Sequence, residues 1–212
     1  MQQDTVMVVA GGGAAPSTAV LPSASTVIAA DGGVDLALAL GLHPDVVVGD
    51  FDSASSEGIA AAEAAGARIV RHSPDKDATD LELALEEAAA LGPRRLVVVG
   101  VEGGRLDHLI AGLLLLGSER YADFELEALV GRARAYVVRS ERELAGEPGE
   151  LVSLLALHGP AEGVVTEGLV FPLRHETLLP GSSRGVSNLF TGVTARLSLE
   201  RGVLLALCPG RA

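Results

Sequence analysis

Tryptophan is missing from this chain, and cysteine occurs once, at Cys208. A lone cysteine excludes an internal disulfide framework and a cysteine-built zinc site. Cys208 is read as buried and inert. Aromatic residues are 3% of the 212 positions, so ring stacking in a recognition site cannot rest on Trp. No apolar run approaches the roughly 20 residues that span a bilayer, although 48% of the residues are hydrophobic. The N-terminus shows no basic segment ahead of an apolar one, so no signal peptide is expected and cytoplasmic residence is the expectation. Neither G-x-S-x-G nor a Ser-His-Asp order is present, which leaves acyl transfer without support. Neither GxGxxG nor GK[ST] follows the first strand, which excludes a Rossmann fingerprint and a P-loop. Lysine is scarce too. Of 16 basic residues fifteen are arginine, and the exception is Lys76, between Asp75 and Asp77.

Acid is plentiful. Asp plus Glu is 28 against 16 for Lys plus Arg, a net charge of −12. A negative surface repels a phosphate backbone and disfavours nucleic acid as a partner. Magnesium and positively charged organic substrates remain compatible. The length allows one large domain or two small ones with a real core.

Val6–Ala10, Thr26–Ala30, Val46–Val48, Arg68–Arg71 and Leu96–Val99 read as strands. Helices are expected at Val34–Leu40, at Ser56–Ala65, from the charged loop Ser73–Asp80 to about Leu91, and from Leu106 onward. Apolar strands alternating with helices are the signature of a parallel sheet covered on both faces. In the last helix Leu106, Leu109, Ile110, Leu113 and Leu114 follow helical spacing and are expected to form one buried face. Gly11-Gly12-Gly13 suits close approach of a phosphate, but is read as a flexible loop. Beyond about Val138 the texture changes. Arg139–Glu150 is charged and carries Gly146, Pro148 and Gly149, which reads as a linker. Short runs at 151–157, 164–166, 169–173, 192–199 and 203–208 then read as a small antiparallel β-sandwich. The expected fold class is α/β: a parallel-sheet α/β N-terminal catalytic domain, residues 1–138, followed by a smaller antiparallel β-sandwich domain, residues 139–212.

Unusual residues gather at the strand exits, and parallel strands put those exits on one edge, where ligands of such sheets bind. Gly49-Asp50-Phe51-Asp52-Ser53 places two carboxylates at a turn, able to share a hard cation such as Mg²⁺. A solvated turn or a helix cap is the plainer alternative. Asp31-Gly32-Gly33 is either a turn or a nucleotide contact. Thr79-x-x-Glu82 is a capping box, and Asp80 stands at the first helical position, which the macrodipole favours for a carboxylate. Lys76 and Asp77 lie just before it, and Lys76 can meet a phosphate as a mobile point charge. In Gly103-Gly104-Arg105-Leu106-Asp107-His108, Arg105 can fork onto phosphate oxygens. Asp107 can be a metal ligand, a base or an N-cap, and His108 is a weaker candidate. His43, His72, His158 and His175 have no metal-ligand spacing. Ser187-Asn188 beside Gly185 is on its own an ordinary loop. Several carboxylates, one lysine and one arginine on a parallel sheet suit metal-assisted phosphoryl-type transfer.

Ala30-Asp31-Gly32-Gly33, Gly49-Asp50-Phe51-Asp52-Ser53, Lys76-Asp77-Ala78-Thr79-Asp80, Gly103-Gly104-Arg105-Leu106-Asp107-His108 and Ser187-Asn188, in that order, resemble the thiamine pyrophosphokinase family. The resemblance implies transfer of the pyrophosphoryl group of ATP to the hydroxyl of thiamine, giving thiamine diphosphate and AMP. It implies an α/β domain followed by a β-sandwich, and a homodimer with thiamine held between subunits. It makes Asp50, Asp52 and Asp80 the Mg²⁺ ligands, and Arg105 and Asp107 catalytic with them. Asp31, Gly32, Lys76, Asp77 and Arg105 would border ATP, while Ser187 and Asn188 would reach thiamine. Some relatives set an aromatic ring, Trp included, against thiamine; this chain has no Trp, and Phe190 is not assigned that place. Two other readings stand beside it: a related pyrophosphokinase acting on a hydroxymethylpterin, and a non-catalytic nucleotide- or thiamine-sensing module.

Overall fold

A computed structural model describes residues 4–12, 21–102 and 105–210 of the chain. Gly13, Gly103 and Gly104 of the motifs above lie outside the described residues. The chain forms two compact units, residues 1–115 with 123–131 and residues 116–122 with 132–212.

In the first unit short runs, β-branched in all but the last, make the strands β1 (Thr5–Val9), β2 (Thr26–Ala30), β3 (Val46–Gly49), β4 (Arg68–Arg71), β5 (Arg95–Val99) and β6 (Glu125–Val130). All pair in parallel, in the order β4-β3-β2-β1-β5-β6. The helices are α1 (Gly33–Ala39), α2 (Ser56–Ala64), α3 (Asp80–Ala90) and α4 (Leu106–Leu116). Met7 and Val9 share a buried cluster with Leu36 and Ala37 of α1. Val8, between them, points to the other face by strand alternation and is fully buried as well. Burial on both faces is why these strands carry continuous apolar runs rather than alternating ones. The chain runs from β1 outward to β4, then returns to place β5 on the other side of β1. The order of strands therefore reverses between β1 and β5, the position where open α/β sheets bind ligands.

Two expectations fail here. Gly11 and Gly12 are not a loose loop: the Gly12 N–H donates to the Gly100 carbonyl at 2.9 Å. A Cβ on Gly12 would lie 2.8 Å from that oxygen, and one on Gly11 would come 3.0 Å from the Gly32 backbone. The glycines are there because three strand exits abut. The face expected to be buried on α4 is largely in water, with Leu106 68%, Ile110 49% and Leu114 43% exposed. The helix instead buries Leu116 and Gly112, where a Cβ would stand 2.9 Å from Val101. Four consecutive leucines make α4 apolar almost all round, so spacing alone did not select its buried side.

The second unit holds β7 (Ala133–Val138), β8 (Glu141–Ala145), β9 (Leu151–Glu167), β10 (Arg174–Leu178), β11 (Asn188–Leu189), β12 (Thr194–Ser198) and β13 (Arg201–Cys208). All pairings are antiparallel. β9 is 17 residues long and pairs β13 along its first half and β10 and β12 along its second. Between these arms His158 lies in the left-handed region (φ 58°), and the register with β13 shifts. Tyr136, Leu144, Leu154, Phe190, Leu197 and Leu204 fill the core. The stretch 139–150, read as a linker, contains β8, which pairs along its whole length with β12. Only Leu144 of β8 is buried, so its sequence is charged as an edge strand's is. β7 pairs with β13 and so lies in the second unit. Leu169–Leu173, expected as a strand, makes one isolated bridge, Leu169 to Phe190. Cys208 is buried, and burial first, then the charge of Glu150, pushes its thiol up to about 11. Among the described residues no helix is long and apolar enough to cross a membrane.

Candidate active site

β3 ends at Gly49 (φ 156°), where a Cβ would come within 3.1 Å of the Asp31 side chain and 3.2 Å of Asp80 Oδ1. Glycine is what lets carboxylates from β2 and α3 crowd the end of β3. Asp31 (φ 47°) and Phe51 (φ 65°) both lie in the left-handed region, which costs a residue other than glycine about 1–3 kcal/mol. The Asp31 N–H is fastened to the Val48 carbonyl at 2.8 Å. Phe51 packs into the cluster beneath α2, with the Arg71 guanidinium 4.7 Å from its ring centre. Both strained residues are thus held by the sheet, and Phe51 is the pivot between Asp50 and Asp52.

Carboxylate oxygens of Asp31, Asp50 and Asp52 lie within 4.8 Å of one another. Lys76 Nζ stands 2.6 Å from Asp50 Oδ2 and 3.0 Å from Asp80 Oδ1, tying Asp80 to the group. Asp52 Oδ1 accepts from Ser53 Oγ at 2.8 Å. Asp31 is 8% exposed, and its Oδ1 is buried without a hydrogen-bond partner. The charges respond as this geometry requires. Burial pushes the Asp31 carboxyl up; the Gly32 N–H pulls it back, and Asp80 adds to the rise. The Lys76 hydrogen bond holds Asp50 below the ordinary carboxylate range. Burial pulls the Lys76 ammonium down, but Asp50 and Asp80 outweigh it and keep it above the usual lysine range. Clustered oxygen donors with one buried oxygen unused fit a hard divalent cation such as Mg²⁺.

These groups line a cleft of about 520 Å³ at the carboxyl ends of the strands. Its walls include Gly11 and Gly12 after β1, Asp31 after β2, Asp50 and Asp52 after β3, and Gly100 after β5. Lys76 and Asp80 close another side, and Arg105 and His108 of the α4 entrance complete it. Thr79 caps α3 as expected, its Oγ1 accepting from the Glu82 N–H at 3.2 Å. The structure therefore brings Asp31, Asp50, Asp52, Lys76, Asp80 and Arg105 to one place. Gly32 lies just behind, packed on Ser53. Asp77 is exposed and outside the cleft lining. Asp107 is outside it too, 65% exposed, receiving Arg105 Nε at 3.2 Å and a guanidinium N–H at 2.6 Å. That fork, more than anything else, lowers the Asp107 carboxyl to about 2.

In the second unit Ser187 (φ 60°) donates its N–H to Ser153 Oγ at 3.1 Å. Asn188 is 3% exposed. Its Oδ1 accepts from the Phe171 N–H at 3.0 Å and the Leu189 N–H at 2.9 Å, and its Nδ2 donates to the Phe171 carbonyl at 2.7 Å. The Asn188 side chain is thus engaged at both ends with backbone, and what it holds is Phe171. All six aromatic residues are described, and Phe171 alone is exposed, at 57%. Phe190 is in the core at 1%. Sequence reasoning missed Phe171, because nothing in Val170-Phe171-Pro172 marks its ring as outward. It also gave Asp31 to the nucleotide, though in space Asp31 sits with Asp50 and Asp52.

Residues 18–127 match the family model described as the catalytic domain of thiamin pyrophosphokinase, and residues 136–204 match that of its vitamin B1 binding domain. Thiamine pyrophosphokinase of Bacillus subtilis is 25% identical over 183 residues, 85% of each chain. Thiamine pyrophosphokinase 1 of Oryza sativa is 25% identical over 76% of this chain, which spans 64% of that protein. The crystal structure of the Bacillus subtilis enzyme superposes with a TM-score of 0.86 at 23% identity, covering 99% of this chain and 100% of that one. A family member from Enterococcus faecalis gives 0.84 at 24% identity, covering 99% of this chain and all of its own.

Proposed function

This chain belongs to the thiamine pyrophosphokinase family, and we propose that it transfers the pyrophosphoryl group of ATP to the hydroxyl of thiamine, releasing AMP. The observation that carries this reading is the cleft where the strand order reverses, in which Asp31, Asp50 and Asp52 converge and Lys76 joins Asp50 to Asp80. The thiamine hydroxyl oxygen forms a bond to the β-phosphorus, the bond from that phosphorus to the α,β-bridging oxygen breaks with its electron pair leaving on AMP, and the hydroxyl proton passes to solvent. Mg²⁺, when bound by Asp31, Asp50, Asp52 and Asp80, supplies charge neutralisation on the phosphate oxygens.

The chain's own groups position the reactants. Gly11, Gly12 and Gly100, packed backbone against backbone, line the cleft where the phosphates would lie. Lys76 and Arg105 offer one mobile and one forked donor to phosphate oxygens. Asp107 holds the Arg105 fork at the entrance. Asp77 is assigned no contact with ATP in this reading. In the second unit Phe171 offers an aromatic face to the cationic ring of thiamine, Asn188 fixes that face, and Ser187 precedes Asn188 in the chain. We read the working molecule as a homodimer, because Leu106, Ile110 and Leu114 on α4 are apolar and exposed. We place the reaction in the cytoplasm, with the one cysteine buried and unpaired.

Phosphorus NMR of a mixture of protein, ATP, Mg²⁺ and thiamine tests the reaction. Equal amounts of AMP and thiamine diphosphate are expected, and Asp52→Asn should abolish both while leaving the circular dichroism spectrum unchanged. Release of AMP only with a hydroxymethylpterin, or with neither alcohol, sinks the proposal.

A further inference from the structure

The carboxylate cluster already holds a cation of its own. Lys76 Nζ is in ion-pair contact with Asp50 Oδ2 and Asp80 Oδ1. The second Asp50 oxygen, Oδ1, accepts from the Asp52 N–H at 3.3 Å. Both Asp50 oxygens are therefore occupied from within the chain. Yet Asp50 is also one of the three residues whose oxygens converge to within 4.8 Å. An ammonium and a divalent ion sharing that carboxylate repel each other. Water screens them poorly, because the Lys76 and Asp50 side chains are only 15% and 10% exposed.

We propose that Lys76 is the resident counter-ion of this cluster and passes to the phosphates of the incoming nucleotide, so that divalent cation and nucleotide are captured together and not the cation first. The inference rests on the phosphate chemistry proposed above for the cleft. Without a polyphosphate, a divalent ion displaces the ammonium from two carboxylates into water. With one, the ammonium exchanges carboxylate oxygens for phosphate oxygens, and the carboxylates are freed for the metal. Each ligand then favours the other, and the coupling is reciprocal. The residue type agrees. A guanidinium would fork onto Asp50 and Asp80 and stay, whereas an ammonium on a flexible stem is a point charge that can move between partners. Fifteen of the sixteen basic residues are arginine, and lysine stands where the charge has to travel.

Because Lys76 is the only lysine, protein labelled with ¹³C,¹⁵N-lysine gives one lysine side-chain signal. That signal is expected to keep its position with millimolar Mg²⁺ alone and to move when inorganic tripolyphosphate is added with Mg²⁺. A signal that Mg²⁺ alone moves as far, or that the mixture leaves in place, overturns the proposal. Mn²⁺ binding to nucleotide-free protein, followed by electron paramagnetic resonance, is the second readout. Lys76→Met should bind Mn²⁺ at least about tenfold more tightly than the wild type, within the usual range of such couplings. Equal or weaker binding overturns the idea, and the lysine signal decides the matter should the variant fold poorly. Neither measurement involves thiamine or turnover. The proposed reaction fails on the absence of AMP and thiamine diphosphate, whereas this inference fails on the lysine signal or the Mn²⁺ affinity.

Discussion

Asp31 is a carboxylate kept where it destabilises the fold. It is buried, one oxygen has no hydrogen-bond partner, and its carboxyl is pushed up by burial and by Asp80. An acid whose folded-state value is raised weakens the fold above that value and ceases to do so at pH below the ordinary carboxylate range. Asp31→Asn should therefore raise the melting temperature at pH 7 in EDTA by about 2–4 °C, the response of a chain this size to ~1 kcal/mol. The same variant should lose the stabilisation that Mn²⁺ together with tripolyphosphate gives the wild type. Thermal scans in EDTA and with Mn²⁺ plus tripolyphosphate check both, and a lower melting temperature in EDTA would contradict this account. Asp50 has the opposite sign. Lys76 lowers it, so its contribution is present above the ordinary carboxylate range and is lost as pH falls through its folded-state value.

Asn188 acts by holding Phe171 through two backbone hydrogen bonds of 3.0 and 2.7 Å. Asn188→Ala leaves those backbone groups without partners, at a cost of about 1–3 kcal/mol. In the proposed reaction it should raise the KM for thiamine roughly tenfold, ~1.4 kcal/mol, with kcat nearly unchanged. Phe171→Ala should show the same split in steady-state kinetics with less loss of stability in urea. A fall in kcat alone would argue that Phe171 does not meet the substrate.

β1 and α1 meet through a glycine. A Cβ on Gly33 would be driven into the Val9 carbonyl oxygen, and Val9 is fully buried. Gly33→Ala should cost about 3 kcal/mol, the upper range for overpacking, seen as a lower urea midpoint with an unchanged slope. Gly32-Gly33 could be read in advance as permitting close approach, but not what approaches. β1, β2, β3 and β5 were legible because both of their faces are buried, so Val and Ile run on without a break, whereas β6 was not read as a strand, since Glu125 and Glu127 interrupt its apolar residues. β8 was not, since one buried leucine among Glu, Arg, Glu and Ala resembles a linker. α4 was legible as a helix and misjudged as a surface, since Leu106, Ile110 and Leu114 fit the spacing of a buried face yet stand in water.

That exposed stripe bears on how the chain works as a molecule. Changing Leu106, Ile110 and Leu114 together to Ser should leave the folded chain's secondary structure intact, because exposed substitutions cost within about 0.5 kcal/mol each. It should convert the proposed dimer to a monomer in sedimentation velocity. A wild type that sediments as a monomer at micromolar concentration refutes the pairing. The amino-acid order alone determined that this is an acidic α/β protein with a β-rich second half, and that Asp31, Asp50, Asp52, Lys76, Asp80 and Arg105 stand at strand exits or helix starts. Period and composition suffice for that, because they report burial and chain direction locally. Which carboxylates touch was decided only in three dimensions. Asp31 and Asp80 meet around Gly49, Lys76 lies between Asp50 and Asp80, and Asp107 turns to Arg105. Those contacts depend on strand order, on two residues held in left-handed backbone and on where glycine leaves room, and all three follow from how the sheet packs.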